Sequence, residues 1–232
     1  MLKQISLEGS DDSKMPFSSG TYDITLQSDF QRRFTISLPP ENVKYYECLL
    51  VIILHYGGEP TPYYGRPLLE NLYKKYWTNL DAIFVAPEIL GASWTTPINE
   101  HFVVSLTKEM SKMYNIKDSR ICISGFSLGA LGSLFFTEHY PEIYKACIPI
   151  AGFQSVESRI DRPCLMILSE DDEVFPINKC QGFDNLHADI DSTIITVRSK
   201  GHYDIQGFNK GLEKAEKWLQ KVIFKSRIES YY

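Results

Sequence analysis

The sequence lacks any run of about 18 consecutive apolar residues, the minimum for a helical membrane span, so none is expected. Its first 20 residues, MLKQISLEGSDDSKMPFSSG, have no continuous apolar core, and no secretory leader is expected either. Basic clusters are also missing: with a net charge of -5 and no Lys/Arg-rich patch, the chain has no electrostatic footprint for nucleic acid. The five cysteines, Cys48, Cys122, Cys147, Cys164 and Cys180, form no CxxC pair, which argues against a zinc site or a redox motif. Most of them lie in apolar stretches, where a free thiol behaves as a small hydrophobe, and a reducing, cytoplasmic compartment is the expectation. There is no internal repeat, low-complexity tract or linker. The 232 residues therefore read as a loose Ser/Asp/Gly-rich lead-in over 1–20 followed by one globular domain over 21–232. Nothing in the sequence speaks to oligomeric state.

What is present is alternation of strand and helix patterns. Ile24 and Leu26, then Phe34, Ile36 and Leu38, repeat at period two and predict an antiparallel opening hairpin. Leu49–Leu54 is continuously apolar, as suits a central strand covered on both faces. Helical spacing follows in Leu68, Leu69, Leu72, Tyr73, Tyr76 and Trp77, then a buried strand over Ala82–Ala86 and a helix over Phe102–Met113. The pattern continues as strand Arg120–Ser124, helix Leu128–His139, strand Ala146–Ala151, strand Cys164–Ser169, a helix near Asn178–Ala188 and strand Ser192–Arg198. A last amphipathic helix carries Phe208, Leu212, Ala215, Leu219 and Val222 on one face. Such alternation predicts an α/β fold with a doubly wound, mostly parallel sheet of about eight strands. Only about ten residues separate Ala151 from Pro163, leaving no room for a large lid above an open pocket.

Within that frame, Gly125-Phe126-Ser127-Leu128-Gly129 matches GxSxG, the turn that lifts a nucleophilic serine between a strand and a helix. The motif follows the buried strand Ile121-Cys122-Ile123 and opens a helix, which is the setting it requires. A serine hydroxyl is a weak nucleophile at neutral pH, so a histidine to take its proton and a carboxylate to hold that histidine should follow. After Cys164–Ser169 comes Glu170-Asp171-Asp172-Glu173, and after Ser192–Arg198 comes Gly201-His202. Each lies past the carboxyl end of a strand, where doubly wound sheets place their sites, and the order is Ser, Asp, His. His101, His139 and His187 fall on or near predicted helices and read as surface or packing residues.

On these residues, and on Arg33-Phe34-Thr35-Ile36-Ser37-Leu38-Pro39, the chain resembles the small lidless α/β-hydrolase carboxylesterases. These include the phospholipase/carboxylesterase family and the feruloyl-esterase and polyhydroxybutyrate-depolymerase-like families. The resemblance spans about Arg32 to Leu219. It implies an acid loop reading Asp, three residues, Pro, which selects Asp172 before Pro176 over Asp171. It implies that His55 in His55-Tyr56-Gly57-Gly58 shapes the oxyanion loop and is not the base, although Tyr56 stands where the pattern has glycine. The oxyanion donors would be the N–H of Leu128 and that of Gly57, with Tyr56 the alternate. It further implies that the loop bearing Trp94 lines the substrate pocket, with Trp94 either touching substrate or merely packing the loop. Tyr63 and Phe126 are further candidate substrate contacts.

The expected chemistry is cleavage of a small-molecule ester or thioester through an acyl-enzyme on Ser127, with no metal or organic cofactor. A small peptidase or amidase of the same fold, and a non-catalytic hydrolase-like binding protein, are the alternatives.

Overall fold

The computed structural model describes residues 15–26, 31–59, 61–153, 160–180 and 192–224. One eight-stranded sheet organises them. Its strands are β1 (Gly20–Leu26), β2 (Arg32–Leu38), β3 (Leu49–Leu54), β4 (Ala82–Pro87), β5 (Ile121–Phe126), β6 (Ala146–Ile150), β7 (Leu165–Ser169) and β8 (Thr193–Val197). The order across the sheet is β1-β2-β4-β3-β5-β6-β7-β8. The opening hairpin is antiparallel, with Ile24 opposite Phe34, and β2 also runs antiparallel to β4; every later pairing is parallel.

The continuous apolar run in β3 follows from burial on both faces. Leu50, Ile52 and Leu54 join one core with Phe102, Leu106 and Leu134, while Leu49, Val51 and Ile53 join another with Leu69, Leu72, Leu212 and Leu219. Each fully buried aliphatic side chain contributes roughly 1.5–3 kcal/mol, so β3 alone anchors both layers. The helices divide accordingly. On the first face lie α2 (Pro97–Met113) and α3 (Leu128–His139); on the second lie α1 and α4 (Asn209–Phe224). α1 runs Arg66–Leu68, passes through a π-helical turn at Leu69–Tyr73 and ends in Lys74–Tyr76.

Several boundaries differ from the sequence reading. α2 starts at Pro97 rather than Phe102, because extended Thr96 supplies the N-cap and proline is pre-organised for the first helical position. Along α4 the buried stripe ends on Ile223 and not Val222, while Phe208 closes the preceding 3-10 turn. Of the helix expected near Asn178–Ala188, the turn Ile177–Lys179 is present and residues 181–191, with His187, lie outside the described residues. Residues 1–14 of the expected lead-in and residues 154–159 of the β6–β7 connection also lie outside them. Residues just after 14 are held: Met15 is buried, and the carbonyls of Pro16 and Phe17 accept from the hydroxyls of Tyr114 and Tyr45.

Among the described residues no helix is long and apolar enough to cross a membrane. The cysteines are all unbridged, four of them buried.

Candidate active site

The chain leaves β5 and enters α3 through Ser127, whose φ of 55° and ψ of -114° lie in a region that L-residues avoid. Holding a residue there costs of order 1–3 kcal/mol, and surrounding contacts must enforce it. The two motif glycines make the turn possible. A Cβ on Gly125 would collide with the backbone of Gly129, and a Cβ on Gly129 would collide with the carbonyl of Leu54. Strand β3, the turn and α3 thus approach backbone to backbone, and the half-buried Ser127 is raised above the carboxyl end of the sheet.

Ser127 Oγ lies 2.8 Å from His202 Nε2, and His202 Nδ1 lies 2.9 Å from Asp172 Oδ2. A carboxylate accepts only, so Nδ1 is the donor and Nε2 is left to accept the serine proton. Asp172 is buried, and its other oxygen, Oδ1, accepts the N–H groups of Val174 at 2.9 Å and Phe175 at 2.7 Å. Neighbouring Asp171 is exposed, and its amide donates to Ser169 Oγ. The rings of Phe126, Phe175 and Tyr203 surround the imidazole at centroid distances of 5.9, 5.6 and 5.2 Å.

The loop expected to hold the oxyanion donors is anchored by two of its carbonyls. His55 Nδ1 sits 2.7 Å from the Tyr56 carbonyl, while Nε2 accepts the Ile89 N–H at 3.2 Å. Because Nε2 accepts, the proton is on Nδ1, and His55 is neutral. The Trp94 indole donates to the His55 carbonyl at 3.0 Å. In a trans peptide the N–H points opposite to the C=O, so anchoring these two carbonyls sets the directions of the Tyr56 and Gly57 amides. A Cβ on Gly57 would stand 3.7 Å from the Leu128 side chain, which puts the loop against the first turn of α3. There the Leu128 N–H has no acceptor within its own helix. Among the described residues, the amides of Tyr56, Gly57 and Leu128 donate to no carbonyl outside the regular elements.

Burial holds the His55 pKa down at about 4 against an ordinary 6.5. As pH falls below 6.5 the unfolded chain takes up a proton that the native protein refuses until about 4. Stability contributed at neutral pH is therefore lost progressively across that window, by about 3 kcal/mol in total. Urea unfolding at pH 7 and pH 4.5 should show a smaller loss for His55→Gln than for wild type; equal losses would mean that another group sets the acid sensitivity.

The three expected substrate contacts differ in where their rings lie. Trp94 is 1 % exposed, packs against α3 at Gly132 and holds the loop that follows His55. Phe126 is 2 % exposed, wedged between His202 and Phe208. Tyr63 adopts a φ of 59°, and its hydroxyl is bound to Thr25 on edge strand β1, which lies four strands, roughly 19 Å, from β5. Its neighbour Tyr64 takes the position at the loop, 4.9 Å from the His55 ring and 5.2 Å from Tyr56. The rim residues not anticipated are Phe175 and Tyr203, the latter 82 % exposed. A cavity of about 570 Å³ near β8, lined by Glu170, Arg198, Asp204 and Lys210 among others, includes no residue of the Ser127–His202–Asp172 chain and is separate from the site. Among the described residues no three His, Cys, Asp or Glu side chains are grouped to hold a metal.

The sheet order and the strand-turn-helix at Ser127 are those of the α/β-hydrolase fold. A family model described as PET hydrolase-like matches residues 93–228, more than half of the chain. Among solved structures, a thermostable esterase superposes with a TM-score of 0.70 at 21% identity over 87% of this chain; the match spans 62% of that protein's length. An S-formylglutathione hydrolase from Agrobacterium tumefaciens gives 0.67 at 14% identity, covering 90% of this chain and 98% of the other. Est1E from Butyrivibrio proteoclasticus gives 0.66 at 13%, covering 84% and 98%. At such identities the likeness establishes the fold. No curated protein matches the chain in sequence.

Proposed function

The chain belongs to the PET hydrolase-like family, and from that premise we propose that it is a serine hydrolase of carboxylic esters or thioesters that works through an acyl-enzyme on Ser127. The observation that carries the reading is the continuous hydrogen-bonded chain from Ser127 Oγ through His202 to Asp172, with its serine end half-buried and its acid end buried.

In the proposed cycle His202 Nε2 takes the hydroxyl proton as Oγ attacks the substrate carbonyl. The negative charge that develops on the carbonyl oxygen is met by the Leu128 N–H and by the Gly57 or Tyr56 N–H, a contribution of several kcal/mol when the donors are preorganised. Protonated His202 then gives its proton to the departing alcohol or thiol. Water, activated by the same imidazole, releases the acid and restores the serine. Asp172 holds the tautomer and stabilises the imidazolium throughout. Every proton in this cycle is carried by the chain's own groups, so it calls for no metal or organic cofactor. The exposed Tyr203 ring, 5.2 Å from the His202 imidazole, favours substrates with an apolar face.

A p-nitrophenyl ester and an aminoacyl anilide, tested side by side, decide between this reading and a peptidase. We expect a burst approaching one p-nitrophenolate per chain followed by steady turnover, and little anilide cleavage. Folded protein that cleaves the anilide faster, or neither compound, would overturn the proposal.

A further inference from the structure

We propose that Glu173 is a positioning residue that clamps the backbone of His202 and thereby sets the imidazole over Ser127. The inference rests on the functional reading above and adds to it a residue that the proton chain itself does not use.

The acid and histidine loops must keep a fixed separation, because Asp172 and His202 come from different strands and meet through one hydrogen bond. Cross-braces join the loops at base and tip. At their base, Ser169 Oγ accepts the Ser199 N–H at 3.1 Å and lies 2.8 Å from Ser199 Oγ, which in turn lies 2.8 Å from the Gly201 carbonyl. At their tip, Glu173 Oε2 accepts the His202 N–H at 2.9 Å. Glu173 thus grips the backbone of the residue whose side chain is held by Asp172, one position earlier on the same loop.

The local backbone is shaped for this grip. Gly201 has a φ of 113°, and a Cβ there would stand 2.8 Å from Glu173 Oε2, too close for the carboxylate to remain. An exposed glutamate ordinarily samples many rotamers, and a single surface contact contributes little. Here the carboxylate is directed at a backbone donor beside a residue that gives it room. The Glu173 pKa is lowered, chiefly by that His202 N–H and then by its own backbone N–H, so at neutral pH it is a charged acceptor. Asp172 and His202 are the titratable groups that face it.

Loss of the clamp frees the histidine loop, which carries His202 and the rim residue Tyr203 together; proton transfer tolerates far less displacement than an apolar rim contact, so the damage should fall mainly on the chemical step. A displacement of the base by a fraction of an ångström is enough to slow it about tenfold. We expect Glu173→Ala to lower kcat about tenfold with KM within twofold, and to slow fluorophosphonate labelling of Ser127 by a similar factor. Its thermal midpoint should stay within about two degrees. Glu173→Gln keeps an oxygen acceptor and should recover most of the rate. The inference is overturned if Glu173→Ala retains wild-type kcat and labelling, if the loss lies in KM, or if Glu173→Gln is as slow as Glu173→Ala. Wild-type protein that labels at Ser127 while the Glu173 variants behave identically would sink this inference alone; wild-type protein that does not label would sink the functional reading and this one with it.

Discussion

Replacing Ser127 by alanine should abolish covalent labelling by a fluorophosphonate probe and lower ester turnover by roughly 10⁴-fold or more. Only Oγ is removed. The His202–Asp172 pair remains hydrogen bonded, and the loop carrying Tyr56 and Gly57 keeps its two carbonyl anchors at Trp94 and His55. On the proposed function, what survives keeps the imidazole and the oxyanion loop but has no atom to attack the carbonyl. The variant should also keep its fold. Its strained φ of 55° is imposed by the close approach of Gly125, Gly129 and Leu54, not by the hydroxyl, so the thermal midpoint should stay within a degree or two. Mass spectrometry of labelled wild type should place the adduct on the peptide containing Ser127. An adduct elsewhere, or undiminished turnover by the alanine variant, would show that the 2.8 Å contact with His202 is not the reactive one.

What could be read in the sequence follows how locally each feature is determined. The Ser127 turn is legible because its constraints fall within five residues and two of them admit only glycine. The sheet is legible because burial on both faces leaves β3 without a polar residue. Choosing Asp172 over Asp171 needed the spacing to Pro176, and the structure separates them by burial, 3 % exposure for Asp172 against a solvent-facing Asp171. Side-chain direction in loops was not legible. Tyr63 and Tyr64 are indistinguishable in sequence, and it is the positive φ at Tyr63, a conformation tyrosine seldom adopts, that sends one ring to Thr25 and leaves the other beside His55. For Trp94 the resemblance leaves substrate contact and loop packing both open, and the sequence has no way to show that its indole N–H donates to the His55 carbonyl. Glu173 gave no signal at all, since its partner is a backbone amide 29 residues further on.

Asn at position 172 should lower kcat by roughly 10⁴-fold while KM stays within a few fold. The reason is orientation of hydrogen-bond donors. Asp172 Oδ1 is committed to the amides of Val174 and Phe175, so in Asp172→Asn the carboxamide oxygen will keep those two bonds and turn its NH₂ toward His202. Nδ1 must then accept, the ring proton moves to Nε2, and the nitrogen facing Ser127 becomes a donor that cannot take the hydroxyl proton. The imidazolium that forms during attack also loses its buried counter-charge. Stability should change little, because shape and backbone bonds are preserved, and this separates the substitution from Asp172→Ala, which would take the acceptor from the Val174 and Phe175 amides. Asp171→Asn is the control: its side chain is solvent-facing, and the variant should keep its rate within about twofold. If Asp171→Asn were the crippled variant and Asp172→Asn active, the acid would have been misassigned. If both were active, His202 would need no carboxylate, and the 2.9 Å bond to Asp172 would be structural only.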